Sequence, residues 1–237
     1  LDPIYFFPTK NKNKTGAVII YESPIKGVQR GFYKAGYDPY RHDDSGGASL
    51  GAFYIYKSSN TFSFSRDMIV ASYVGRPDTS DEYNRNLFML ADYYNAKIGF
   101  ENDRGEVIPY AKRFRKMHKL QEEFEMLDKR ELQSKNVKRQ YGMHMTDARK
   151  RQGEIYIRDW LNTPRSTDEE GKTLLNLHKI YDTAFLAELI KFNHKGNFDR
   201  VMSFMIGMFH TRELYNAEVK DKIEDRCHDE WFDRLYK

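Results

Sequence analysis

Six carboxylates fall where an apolar, aromatic run gives way to polar residues. In "GFYKAGYDPYRHDDSGG", Asp38, Asp43 and Asp44 follow such a run. In "KIGFEND", Glu101 and Asp103 end another, and Asp199 opens "NFDRVMSFMIGMF". Taken singly, each is ordinary. Asp-Pro followed by Asp, Ser and Gly is turn chemistry, and an Asp in the first turn of a helix is favoured by the helix dipole. Brought together, the acids repel one another unless a divalent cation neutralises them. All-oxygen ligands select hard ions, Mg²⁺ or Mn²⁺. Two such ions about 4 Å apart activate water and stabilise the leaving oxygen of a phosphodiester.

That chemistry needs elements that bring distant acids together. "AVIIYES" reads as a short strand stopped by Pro24. "RGFYKAGYDP", "ASLGAFYIYK" and "DMIVASYVG" read as three stronger strands joined through Ser-, Gly- and Asn-rich turns, an antiparallel meander. The period then changes. "TSDEYNRNLFMLADYYNA" carries a capping box, Thr79 with Glu82, and apolar residues at helical spacing. It feeds into "KIGFEND", so strand, helix, strand predicts a right-handed crossover and parallel pairing with the meander. After Pro109 a basic helix is expected to run to about Leu127, then a polar, lysine-rich loop or flap over 129–145. Further helices are expected from Thr146 and over Thr183 to Lys191. The last has Asn197 as its expected cap, and Ser203 and Gly207 share a stripe with Asp199, small side chains that suit close approach to a sheet. On this plan Asp38 ends one strand, Glu101 ends its parallel neighbour and Asp199 opens a late helix. Ligand sites of open α/β sheets gather at such strand ends.

The order, with "GAVIIYESP", "GYDPYR", "IGFENDRG" and "NFDRVMSFMIG", resembles the ribonuclease H-like nuclease domain of tailed-phage terminase large subunits. The resemblance runs from about Gly16 to Tyr215. It implies a mixed sheet, a three-strand antiparallel meander plus parallel strands, flanked by helices. It also implies that Asp38, Glu101 and Asp199 are catalytic and hold two Mg²⁺ or Mn²⁺ ions, with Asp43, Asp44 and Asp103 as possible outer ligands. Asp103 stands where the family's E-x-N-x-G pattern has Asn, which leaves open whether it is a ligand or a turn residue. By the same resemblance the substrate is double-stranded DNA and the setting is the cytoplasm of an infected bacterial host. The expected partners are an N-terminal packaging ATPase domain, a portal protein and a small terminase subunit. Within enzymes the rival is another ribonuclease H-like nuclease of junction-resolvase type. Outside enzymes it is a non-catalytic nucleic-acid-binding module.

Charge agrees with a polyanionic partner. Net charge is only +4, yet Arg104 to Arg151 holds fourteen Lys and Arg against seven Asp and Glu, so the remainder is net negative. Candidate DNA-binding residues in this block are Arg104, Lys112, Arg113, Arg115, Lys116, Lys138, Arg139, Arg149 and Lys150. From charge alone, a solvated helical face explains the block equally well. Charged residues make up 31 % of the chain, and no apolar run approaches the roughly 18 residues a membrane span needs, so no membrane role is expected. The single cysteine, Cys227, excludes an internal disulfide and cysteine metal clusters. "EEGKT" superficially matches the end of a P-loop. Ser166 stands where its first Gly belongs, and Asp168, Glu169 and Glu170 would repel phosphates, so no ATP hydrolysis is expected. A start without Met or signal peptide suggests a piece of a longer protein. The expected division is a linker over 1–16, a nuclease domain over 17–216 and a charged segment over 217–237.

Overall fold

The computed structural model describes residues 14–28, 31–40, 49–57, 67–102, 106–122, 141–193 and 196–211. Asp43, Asp44, Asp103, Arg104, Lys138 and Arg139 lie outside them, as do most of the expected flap and the segment 217–237.

Four of the five strands of the main sheet, β2 (Tyr33–Asp38), β3 (Gly51–Lys57), β4 (Met68–Gly75) and β5 (Lys97–Phe100), follow the aromatic and β-branched runs. The fifth, β1 (Ala17–Ile20), forms one edge, and the order is β1-β4-β3-β2-β5. Strands β2, β3 and β4 make the antiparallel meander, and β5 pairs parallel with β2, with Tyr37 opposite Phe100. The helix that carries the crossover is α1 (Ser80–Tyr93), where Thr79 Oγ1 accepts from the Glu82 amide at 3.2 Å, as the capping box requires. The outer edge of β5 is not left open. Gln121 N donates to Ile98 O and Met143 N to Phe100 O, both at 2.8 Å, so two short segments share the next place in the sheet. This is the mixed sheet that the sequence predicts, an antiparallel meander with a parallel strand beside it.

Residues of β2 and β3 are buried throughout because helices cover both faces. One face, with Tyr37, Phe53, Ile55 and Phe100, packs against α1 and α2 (Val107–Arg113). The other, with Ala52, Tyr54, Tyr56 and Ile69, packs against α3 (Asp147–Leu161), α4 (Thr183–Lys191) and α5, whose described residues are 199–211.

Two local expectations differ from the structure, and one hairpin stands where no element is expected. The basic helix ends at Arg113 instead of about Leu127, because Arg115 turns to φ 57° and a 3₁₀ turn, Met117–Lys119, follows. The "EEGKT" stretch, whose acids exclude a P-loop, forms the turn of a hairpin, β6 (Pro164–Thr167) with β7 (Thr173–Leu175). In that turn Asp168 Oδ1 accepts from the Lys172 amide at 2.7 Å. Asn197 does not cap α5. Phe198 O accepts the first helical bond, from Met202 N at 2.9 Å, and Asn197 Nδ2 donates at 3.2 Å to Asp199 Oδ2.

Candidate metal centre

Strand alternation decides which acids share a face. Tyr37 belongs to the α1 side of the core, so Asp38, the next residue, points to the α5 side, as does its register partner Ala52. Glu101 continues β5 one residue beyond Phe100, and its amide donates to Tyr37 O at 3.4 Å. It therefore stands beside Asp38 on the same face, one strand spacing of about 4.8 Å away. Both are buried, at 5 % and 7 % exposure.

Asp199 reaches the same end of the sheet from α5. Two contacts seat the helix. Ser203 Oγ donates to Gly36 O at 2.8 Å, and Tyr56 OH donates to Gly207 O at 2.8 Å. Gly36 is what allows the approach: a Cβ there would lie 2.0 Å from Ser203 O and 2.6 Å from Gly207 N. Asp38 is two residues along the strand from Gly36 and Asp199 is one helical turn before Ser203, so the docking that joins the second pair brings the first pair to one place. Asp199 is then tied to the mouth of β3, where Leu50 N donates to Oδ2 at 2.8 Å and Ser49 Oγ to Oδ1 at 3.3 Å.

The start of α5 is fixed from α4. Glu188 accepts from Arg200 N at 3.0 Å and from Arg200 Nη1 at 2.9 Å, satisfying a first-turn amide across helices. Asp182 caps α4 through its bonds from Ala184 N and Phe185 N and also accepts from Tyr54 OH. Burial raises the Glu188 carboxyl above its ordinary range, opposed by Arg200. Burial also raises Asp199, opposed by the bonds from Leu50, Ser49 and Asn197 and by the Arg200 charge.

These residues fit a hard divalent cation. Three oxygen donors stand at one end of one sheet face, and a nearby cation would relieve the burial that raises Asp199. Among the described residues, no three His, Cys, Asp or Glu side chains are already gathered closely enough to cage an ion. The Asp199 oxygens are held by Leu50, Ser49 and Asn197, so ligation requires that carboxylate to turn.

The described basic residues of α2 lie elsewhere. Val107, Tyr110 and Ala111 bury α2 against the α1 face, opposite the carboxylates. Arg113 pairs with Asp81 and stacks on Phe114 at 4.7 Å, and Lys116 pairs with Asp92 at 2.6 Å. Lys112 and Arg115 are exposed, Lys150 is half-buried, and Arg149 is buried with Nη1 donating to His144 O. Ala at Arg113 or Lys116 is expected to lower stability by no more than about 1 kcal/mol, since exposed pairs contribute little. Thermal melting checks this.

Fold and site together define a mixed α/β domain with three buried acids at one end of one sheet face. No family model matches the chain, and no curated protein matches its sequence. Its structure is similar to crystal structures of the large terminase nuclease from thermophilic phage G20c. The zinc-bound form shares 14 % identity at a TM-score of 0.48, over 84 % of this chain and 88 % of that one. The magnesium-bound form shares 11 % at 0.49 over the same fractions. A third structure of that nuclease shares 12 % at 0.41, over 84 % and 89 %.

Proposed function

We propose that the chain is the nuclease part of a phage terminase large subunit, a metal-dependent endonuclease that cuts double-stranded DNA during genome packaging. The observation that carries this reading is the placement of Asp38, Glu101 and Asp199, each buried, at one end of one sheet face. The sequence resemblance supplies the packaging context, including a packaging ATPase, a portal protein and a small subunit as partners, and the host cytoplasm as the place of action.

Asp38, Glu101 and Asp199 would hold Mg²⁺ or Mn²⁺, two ions in this reading, with Asp43, Asp44 and Asp103 as further candidate ligands. When bound, the ions supply an activated water and neutralise charge on the leaving oxygen. The chain's own residues provide the rest. Strands β2 and β5 fix Asp38 and Glu101 side by side, and Asp199 would join them by turning from its bonds to Leu50 and Ser49. Gly36 and Ser203 hold α5 against β2, which keeps Asp199 at the end of the sheet that carries Asp38.

Purified protein with plasmid DNA and Mn²⁺ tests the reading. Cleavage is expected, ending when EDTA is added. Robust cleavage in excess EDTA would overturn the mechanism, and binding without cleavage in Mn²⁺ would leave a nucleic-acid-binding module.

A further inference from the structure

Three buried acids repel DNA, so a nuclease site of this kind needs a cation beside it. The cations of α2 face the other way. Arg76 does not. Register places Gly51 opposite Gly75, so Arg76, just past the end of β4, stands at the same end of the sheet as Asp38 and Glu101. Val74 is the β4 residue level with Asp38, so two strand spacings across and two residues along put the Arg76 backbone about 12 Å from that of Asp38. Its guanidinium lies over the Tyr40 ring, 5.5 Å from the centroid, and Nη1 donates to Ser49 O at 3.2 Å. Tyr40 follows Asp38 by two residues, and Ser49 Oγ donates to Asp199, so Arg76 touches the segment that carries Asp38 and the residue that binds Asp199. The side chain is half-buried, and its amide donates to the carbonyl of the exposed Lys14.

We propose that Arg76 grips a backbone phosphate of the DNA strand that enters the carboxylate site, an inference that rests on the nuclease reading. A guanidinium presents five N–H donors in a rigid fork, which lets it hold a protein carbonyl and a phosphate together. Stacking on Tyr40 sets the plane of that fork before DNA arrives. The distance to Asp38 matches a phosphate a few nucleotides from the scissile one, since duplex DNA rises about 3.4 Å per nucleotide. Arg76 is thus a binding residue of the reaction.

The test is Mn²⁺-dependent cleavage of a linear duplex across a salt series, for wild type, Arg76→Ala, Arg76→Gln and Arg76→Lys, with thermal melts to show that each folds. Losing one phosphate contact is expected to raise KM about tenfold and to flatten the log–log salt dependence of kcat/KM by about one. The kcat and the half-saturating Mn²⁺ concentration are expected to stay near wild type. Arg76→Lys is expected to recover the salt slope but only part of KM, because it keeps the charge without the fork. An unchanged slope, with kcat reduced and the Mn²⁺ requirement shifted, would make Arg76 only a brace for Ser49 and overturn the inference. Failure of wild type to cut would strike the nuclease reading instead. The same slopes, read from duplex binding by fluorescence anisotropy, would then still decide for or against Arg76.

Discussion

Asparagine at position 199 is expected to abolish metal-supported cleavage while leaving a fold that, without metal, melts at or above the wild-type temperature. Burial raises the Asp199 carboxyl above its ordinary value of 3.8. A raised carboxyl contributes its stability fully below the unfolded pKa and loses it as pH rises through the folded pKa. At neutral pH the ionised form is therefore a burden on the metal-free protein, and a neutral amide removes it. Metal reverses the order: Mn²⁺ is expected to raise the wild-type Tm by mass action and to leave Asp199→Asn nearly unmoved. Cleavage is expected to fall about 100-fold or more, since even a small misplacement of the reacting groups costs that much. The same loss of cleavage is expected of Asp38→Asn and Glu101→Gln. Near wild-type cutting by all three variants would return these acids to the role of turn and cap residues. A Mn²⁺-induced Tm rise equal in wild type and Asp199→Asn would remove Asp199 from the metal site.

The second large effect is expected at a residue with no charge. In Gly36→Ala the new methyl group meets backbone, Ser203 O at 2.0 Å and Gly207 N at 2.6 Å, so no side-chain rotation relieves the clash and α5 must move. Overpacking of this kind costs about 1–3 kcal/mol, occasionally more. For a chain of this size that corresponds to a fall in Tm of about 3–10 °C. Activity is expected to fall further than stability alone dictates, because the helix that retreats carries Asp199 away from Asp38. A melt and a rate both within error of wild type would show that α5 does not depend on that contact.

Much of this architecture is legible in the sequence, and the reasons are local. The aromatic and β-branched runs of β2, β3 and β4 are bounded by turn residues, and Thr79 with Glu82 marks the start of α1. The small residues Ser203 and Gly207 forecast close helix–sheet approach, and Ser203 does bond Gly36. What escapes is set by tertiary context. Nothing in "KRFRKMHK" shows that Arg115 leaves the helical region or that Asp81 and Asp92 of α1 recruit Arg113 and Lys116. The hairpin of β6 and β7 is polar and short, with no alternation to reveal it. Arg76 is a lone cation beside Gly and Pro, and only the pairing of β3 with β4 brings it to the acids. Asn197 has the composition of a cap, but its amide is turned to Asp199.

The bonds that seat α5 join residues very far apart in the chain, 167 positions for Ser203 with Gly36 and 150 for Asp199 with Ser49. Contacts of such separation form late, because the entropy of closing the intervening chain must be overcome before they contribute. Asp38 and Glu101 come from the part of the sheet that the ribosome delivers first, while the third acid is delivered near the end. If the three acids bind metal as proposed, a nascent chain carries an incomplete set of them until residue 199 has emerged and its helix has docked. On the proposed nuclease reading, the order of synthesis would act as a safety catch: the cutting centre would be complete only after nearly all of the described domain had been made.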